Sequence, residues 1–238
     1  MAGDMNILSW WAMAPDRGTR DAWRQWAMSA SSFVEYQGRI PECSHIPMMS
    51  LRRMSIGTRL AVESGLILLN DNQADVAIFT SRHGELERTH KILQHLHQEQ
   101  PLSPTDFAMS VHNTAAGWLT IMAKNTLPTT SLAAGEDSFQ QGMIEAQAVL
   151  TTGCAERVLL IDFDGIVPDV YRPFAAENAF PYAVALLLES GGSLNCQVAT
   201  AEQTDRQEPQ SLSFLRGWLS ADNTFTVPGP RHGWSWKR

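Results

Sequence analysis

Two hydrophobic periods alternate along the chain. Residues 5–10 (MNILSW) are apolar-rich and predict an opening strand, ended by Pro15, Asp16 and Gly18. Residues 19–28 predict a short helix carrying Trp23 and Trp26, and 37–49 an irregular loop with Gly38, Pro41 and Pro47. From Ser50 the period turns helical, with Leu51, Met54, Leu60, Val62 and Leu66, until Asn70-Asp71-Asn72 stops it. Residues 75–80 (DVAIFT) form a short apolar run of buried-strand type, and 81–84 turn the chain. A second helix is predicted over 85–98, with Leu86, Ile92, Leu93 and Leu96 on its apolar side, broken by Pro101 and Pro104. Residues 107–111 lead into His112-Asn113-Thr114, where Asn113 or Thr114 can cap a helix over 115–124.

A strand over 129–133 follows, then Ala134-Gly135-Glu136-Asp137-Ser138. A helix comes next, with Phe139, Met143, Ala146 and Leu150 on one face and Gly153 as its C-terminal stop. Residues 157–163 predict another strand. This alternation argues for an α/β layered domain with a substantially parallel sheet. Residues 181–188 and 194–199 flank Gly191-Gly192 and predict an antiparallel hairpin. After residue 200 the signal fades: 204–211 are polar with Pro209, and the remainder reads as an irregular tail.

Composition narrows the function. Of 238 residues, 44% are apolar and 18% charged, which is globular and below the roughly 25% charge of typical soluble domains. That deficit fits an oligomeric partner. The net charge of −7 and the lack of a basic stripe argue against nucleic acid. An acidic carrier protein would need a local basic patch; Arg52-Arg53 is a candidate, against the plainer reading of a solvated helix face. Cys43, Cys154 and Cys196 form no CxxC and predict free thiols. No signal-peptide pattern or membrane-length apolar run is visible, so a cytoplasmic location is expected.

GxGxxG, P-loop, HExxH and GxSxG motifs are absent. His90, His95 and His97 lie on or beside a polar helix face and read as solvated rather than metal-binding. No metal and no cofactor is implied. Asp162 and Asp164 flank Phe163 at a strand end. Paired carboxylates can bind metal or do acid/base work, but a strand-end turn is the expected reading. The segment 110–162 carries the most chemistry. A strand runs into a small-residue bend, and a helix starts at once. That aims a side chain and the helix N-terminal N–H groups at one point, as at many enzyme nucleophiles.

Here the sequence resembles the β-ketoacyl synthases of the thiolase fold. Ser110-Val111-His112-Asn113 with Ala116-Gly117 resembles the stretch before their nucleophile strand. Residues 128–131 (PTTS) resemble the start of that strand, Gly153 with Ala155 the end of the nucleophile helix, and 74–84 (ADVAIFTSRHG) the preceding strand and turn. The resemblance is clear over 50–190, and is nearest to the chain-length factors of aryl polyene type II polyketide synthases. It implies a thiolase-like layered fold, N-terminal half only: a single truncated domain over 1–238 with a mixed, mostly parallel sheet, helices and a C-terminal hairpin.

The departures matter as much. Counted back from Gly153, Glu136 falls where the family keeps its cysteine, and Cys154 lies past the far end of the helix. A carboxylate cannot form the thioester that ketosynthase chemistry requires. The family's second half, with two catalytic histidines and a lysine, finds no counterpart after Pro181, and His232 stands alone. Glu136 is therefore open to three readings: a decarboxylation aid, a structural or channel-lining carboxylate, or a helix-start acid helped by Asp137. The resemblance implies a non-catalytic chain-length factor. Its partner would be a cysteine-containing ketosynthase, with acyl carrier protein reached through the complex. A malonyl-carrier-protein decarboxylase or acyltransferase using Glu136 is the alternative. His83, Phe107, Met109 and His112 are candidates, with Glu136, for lining the partner's acyl tunnel or the interface; ordinary interior packing is the competing reading.

Overall fold

The computed structural model describes residues 5–29, 38–175, 179–192, 194–200 and 208–238. Residue 37 of the expected loop, Ser193 of the expected turn and 204–207 of the polar stretch lie outside the described residues.

In chain order the elements are β1 (Met5–Met13), α1 (Arg20–Met28), α2 (Met48–Leu51), α3 (Ile56–Asp71), β2 (Val76–Thr80), α4 (Leu86–His97), α5 (Pro104–Ala108), α6 (Thr114–Ala123), β3 (Thr129–Leu132), α7 (Ser138–Thr151), β4 (Arg157–Asp164), β5 (Tyr182–Ser190), β6 (Asn195–Ala199), α8 (Gln210–Leu219), β7 (Thr224–Val227) and β8 (Gly233–Lys237). Short 3-10 turns precede α7 at Gly135–Asp137 and follow β4 at Asp169–Phe174.

The main sheet has the order β1-β5-β4-β2-β3. Strand β2 is parallel to both β3 and β4, while β5 is antiparallel to β4 and β1. The sheet is thus mixed, with its parallel and antiparallel pairings evenly divided. Its central strands are apolar on both faces because both faces are covered. Ile78, Val158, Leu160, Val184 and Leu186 point to a core shared with α1, α7 and α8. Ala77, Phe79, Leu159, Ile161 and Leu187 point the other way, to a core with α3 and α6. The period-2 reading of each strand is what separates these two sets.

Helix α7 forms as its pattern predicts. Phe139, Met143, Ala146 and Leu150 all sit in the first core. Burying its three large side chains contributes about 1.5–3 kcal/mol each. Gly153, at φ +70°, follows the helix end and closes it by donating its N–H to the Leu150 carbonyl. Thr19 caps α1, its hydroxyl accepting from the Ala22 N–H.

Three expectations change. Strand β5 does not turn back onto β6. It enters the middle of the main sheet, while β6 pairs with β8. A run such as YAVALLL at 182–188, buried at every position, belongs in a central strand rather than a two-stranded hairpin. A C-terminal antiparallel hairpin is present, formed by β7 and β8. The tail expected to be irregular instead folds as α8, β7 and β8, with Leu212, Phe214, Leu215, Val227 and Trp236 in the core. Pro104 does not only break α4. It starts α5, whose cap Ser103 accepts from the Asp106 N–H. No helix among the described residues is long and apolar enough to cross a membrane.

Candidate functional site: the cavity at the start of helix α7

Three adjacent parallel strands, β3, β2 and β4, end side by side at Leu132, Thr80 and Asp162–Asp164. In α/β sheets this carboxyl edge is where binding crevices open. The chain leaves β3 through Gly135, whose φ of +63° suits glycine, and passes Glu136 before α7 begins. The Ser138 hydroxyl fixes the bend, donating to the Gly135 carbonyl at 2.7 Å and accepting from the Ala134 N–H at 3.0 Å.

The turn after β2 faces this bend. Asp164 holds it from below. Its Oδ1 accepts from the Ser81 hydroxyl at 2.6 Å and the His83 N–H at 2.8 Å, and its Oδ2 accepts from the Arg82 N–H at 3.4 Å. The Ser81 hydroxyl in turn accepts from the Gly84 N–H. So fixed, the turn carries Arg82 to Glu136, with 3.5 Å between Nη1 and Oε1. His112 lies behind the same turn, with Nε2 3.2 Å from the Ser81 carbonyl and its ring against Gly84.

One step along β4, Asp162 is fully enclosed by hydroxyls. Thr80 Oγ1 donates to Oδ1 at 2.6 Å. Tyr182 Oη and Ser211 Oγ donate to Oδ2 at 2.9 and 2.6 Å. Burial pushes the Asp162 carboxyl up to about 6, partly countered by the hydroxyl bonds and reinforced by the Asp164 charge. Burial likewise lifts Asp164 to about 6, against the pull of Ser81 and the turn N–H groups. Burial, with the two aspartates, raises Tyr182 well above its ordinary value. His83 is lowered by burial and by the neighbouring Arg82.

Between these groups and α8 lies a cavity of about 470 Å³. Its polar rim carries Arg82, His83, Glu136 and Glu208; its floor, Asp162 and Asp164; its apolar wall includes Phe139 and Phe180. No cysteine lines it. Burial pushes the Cys43 thiol up to about 12 and that of the half-buried Cys196 up to about 11, away from a reactive thiolate, and Cys154 is exposed beyond the end of α7. Among the described residues no cluster of three or more metal-ligating side chains is present.

The structure therefore brings His83 and Glu136 to one cavity and stands His112 behind it. Phe107 and Met109 are placed elsewhere, around the end of α5. Phe107 is 69% exposed, whereas Met109 packs against the α3–α6 core. Sequence reasoning missed Arg82, Tyr182 and Ser211, and took Asp162 and Asp164 for a strand-end turn. Both aspartates belong to β4 itself and are buried. The available signal was their i, i+2 spacing, which places both side chains on one face of the strand.

No curated protein matches the chain. Residues 23–237 match the family described as beta-ketoacyl synthase, N-terminal domain. The chain belongs to the β-ketoacyl synthase family. It is 43% identical to a chain of the solved complex of the ketosynthase ApeO with its chain length factor ApeC from Xenorhabdus doucetiae. That match covers 98% of this chain and 99% of the other, with a TM-score of 0.93. Two more distant likenesses bear on the fold alone. The ishigamide ketosynthase/chain length factor is 15% identical over 82% of this chain and 68% of the other, at a TM-score of 0.66. A type II polyketide synthase acyl-carrier protein in complex with its ketosynthase is 13% identical over 80% and 64%, at 0.64.

Proposed function

We propose that this member of the β-ketoacyl synthase family is a non-catalytic, chain-length-factor-type subunit. It pairs with a cysteine-bearing ketosynthase, completes that partner's acyl tunnel and limits the length of the polyketide or polyene product. The observation that carries the reading is the Glu136–Arg82 pair at the bend before α7. A carboxylate paired with a guanidinium, at the position the sequence resemblance gives to the nucleophile, lies beside a cavity with no thiol in its wall. Such a group neither attacks a thioester nor carries an acyl chain as one. The near full-length likeness to a chain of a ketosynthase–chain length factor complex supports the same reading. Carrier protein would be met through the assembled complex.

Co-expression with a cysteine-containing ketosynthase tests this. The two chains should co-elute on size exclusion, and changes of side-chain bulk at Met109 or Phe107 should alter product length. A chain that remains a separate monomer in the presence of such partners would sink the proposal. The existence of a cavity beside Glu136 keeps a second reading in view, decarboxylation of malonyl-carrier protein assisted by that carboxylate. It requires turnover by the complex that falls when Glu136 is changed to alanine.

A further inference from the structure

Helix α8 lies over the cavity and is tied to the rest of the molecule at its two ends by different chemistry. At its C-terminal half Arg216 donates to the Ser29 carbonyl at 3.1 Å, pairs with Glu208 at 2.6 Å and stacks 4.0 Å from the Trp26 ring. At its first turn Ser211 donates to Asp162, and Gln210 donates to Asp137 and to the Pro228 carbonyl. The side chains of Gln210 and Ser213 form part of the cavity wall.

Asp162 is an unusual anchor. Hydroxyls on β2, β5 and α8, all neutral, donate to it, and a second carboxylate, Asp164, projects from the same face of β4. A buried carboxylate with neutral donors alone bears an uncompensated desolvation cost whenever it is ionised. Ionised, it requires all three hydroxyls to donate. Protonated, it becomes a donor itself, and one hydroxyl must turn to accept. The charged and titratable groups around it do not remove this cost. Arg82 on the β2 turn is engaged with Glu136. His83 on the same turn is held towards its neutral form. Glu136 before α7, Asp164 on β4 and Glu208 before α8 are themselves acidic. Asp137 is bound by Gln210 and Trp234, and Tyr182 on β5 is a phenol.

We propose that Asp162 is a proton-sensitive latch on the first turn of α8: the helix closes the cavity tightly when the carboxyl is protonated, and opens more readily when it is ionised. The sign follows from solvation. Lifting the first turn of α8 returns the carboxylate to water, where it ionises at its ordinary value, so opening releases a proton and is favoured as pH rises. Arg216 keeps its hold on the Ser29 carbonyl and the Trp26 ring, so opening is confined to the N-terminal half of the helix and strains its pairing with Glu208.

Amide hydrogen exchange on the full chain tests the latch. The reporters are the Leu212 and Ser213 amides, which donate to the Pro209 carbonyl, with Ala77 and Leu160 in the sheet as references. After correction for intrinsic rates, the opening of the reporters should rise about tenfold from about pH 5 to about pH 7.5, for a carboxyl that titrates near 6 when closed and near 4 when open. The references open only with global unfolding and should stay far more protected than the reporters at every pH. In Asp162→Asn the rise should vanish. If that variant does not fold, Tyr182→Phe decides: losing one donor to the carboxylate moves the midpoint of the rise to higher pH. Reporter exchange that is flat with pH, reporter protection no lower than that of Ala77 and Leu160, a rise that persists in Asp162→Asn, or an unmoved midpoint in Tyr182→Phe each overturns the latch.

Discussion

The Arg82 guanidinium reaches from the turn after β2 to within 3.5 Å of the Glu136 carboxylate beyond β3, bridging the ends of two strands that are parallel neighbours. Both side chains are partly exposed, at 29% and 39%. Exposed ion pairs contribute little, about 0–1 kcal/mol, because water and salt screen them. Glu136→Ala should therefore shift the unfolding free energy by less than about 1 kcal/mol, measured by urea titration. Any larger change it makes in the product of a ketosynthase complex would then be a matter of the site rather than of folding. A loss of several kcal/mol would instead mark Glu136 as a structural acid.

The buried aspartates give the molecule a definite pH response. Asp162 and Asp164 both titrate near 6 in the fold, above their ordinary 3.8. Between those values the folded chain holds protons that the unfolded chain has released. Stability therefore falls as pH rises through that window and levels off above it, by on the order of 3 kcal/mol at most per carboxyl. Asp106 acts in the opposite sense. Its hydrogen bond to Lys91 lowers its pKa, so its contribution is lost only as pH falls below about 4. Urea unfolding across this range should show stability highest near the acid end of the window. Asp162→Asn should flatten the upper part of the profile, and an unchanged profile in that variant would refute the assignment.

How far the sequence could be read depended on whether the deciding partner was near in the chain. Helix α7 was legible from Phe139, Met143, Ala146 and Leu150 alone, because a helix satisfies its own backbone. The bend at Glu136 was legible from small residues between a strand and that helix. Strand β5 was visible as a strand but not as a central one, because its neighbour β1 lies at the other end of the chain and only the pairing reveals it. The same limit hid the site's floor. Asp162 is bonded by Thr80, Tyr182 and Ser211, which are 82, 20 and 49 residues away. An acid at the end of an apolar run looks like the start of a loop until those hydroxyls are brought to it. The C-terminal helix and strands were missed because β7 is four residues long and carries two threonines, too short a stretch for its alternation to show.

Backbone contact at the start of α3 supports the same site from behind. A Cβ on Gly57 would lie 2.7 Å from the Gly165 nitrogen and 2.9 Å from the Asp164 carbonyl carbon. These are main-chain atoms and cannot rotate away, so α3 or the end of β4 must move. Gly57→Ala should cost about 1–3 kcal/mol, as overpacking does, and should loosen the Ser81–Gly84 turn that Asp164 holds. Gly117, exposed on α6 with nothing within 4 Å of such a Cβ, is the control. Gly117→Ala should stabilise by about 0.5–1 kcal/mol through helix propensity. Denaturant midpoints of the two variants, with no difference between them, would contradict the close approach.

Phe107 separates folding from association. Its ring is 69% exposed at the end of α5, near exposed Leu102 and Val111 in the sequence, and it does not line the cavity beside Glu136. Removing an exposed ring deletes little buried area, so Phe107→Ala should leave the stability of the isolated chain within about 0.5 kcal/mol. Interface aromatics behave otherwise: truncating one that is buried by a partner commonly costs about 2 kcal/mol or more of binding. If α5 meets a ketosynthase, the same variant should weaken co-elution by roughly tenfold or more, which is what about 1.4 kcal/mol or more amounts to. Met109 gives the contrast. It packs against the α3–α6 core, so Met109→Ala should lower stability before it touches binding. Titration of both variants against the partner, alongside their unfolding curves, distinguishes the cases. Unchanged affinity in Phe107→Ala would place the interface away from α5 and remove Phe107 from the tunnel assignment.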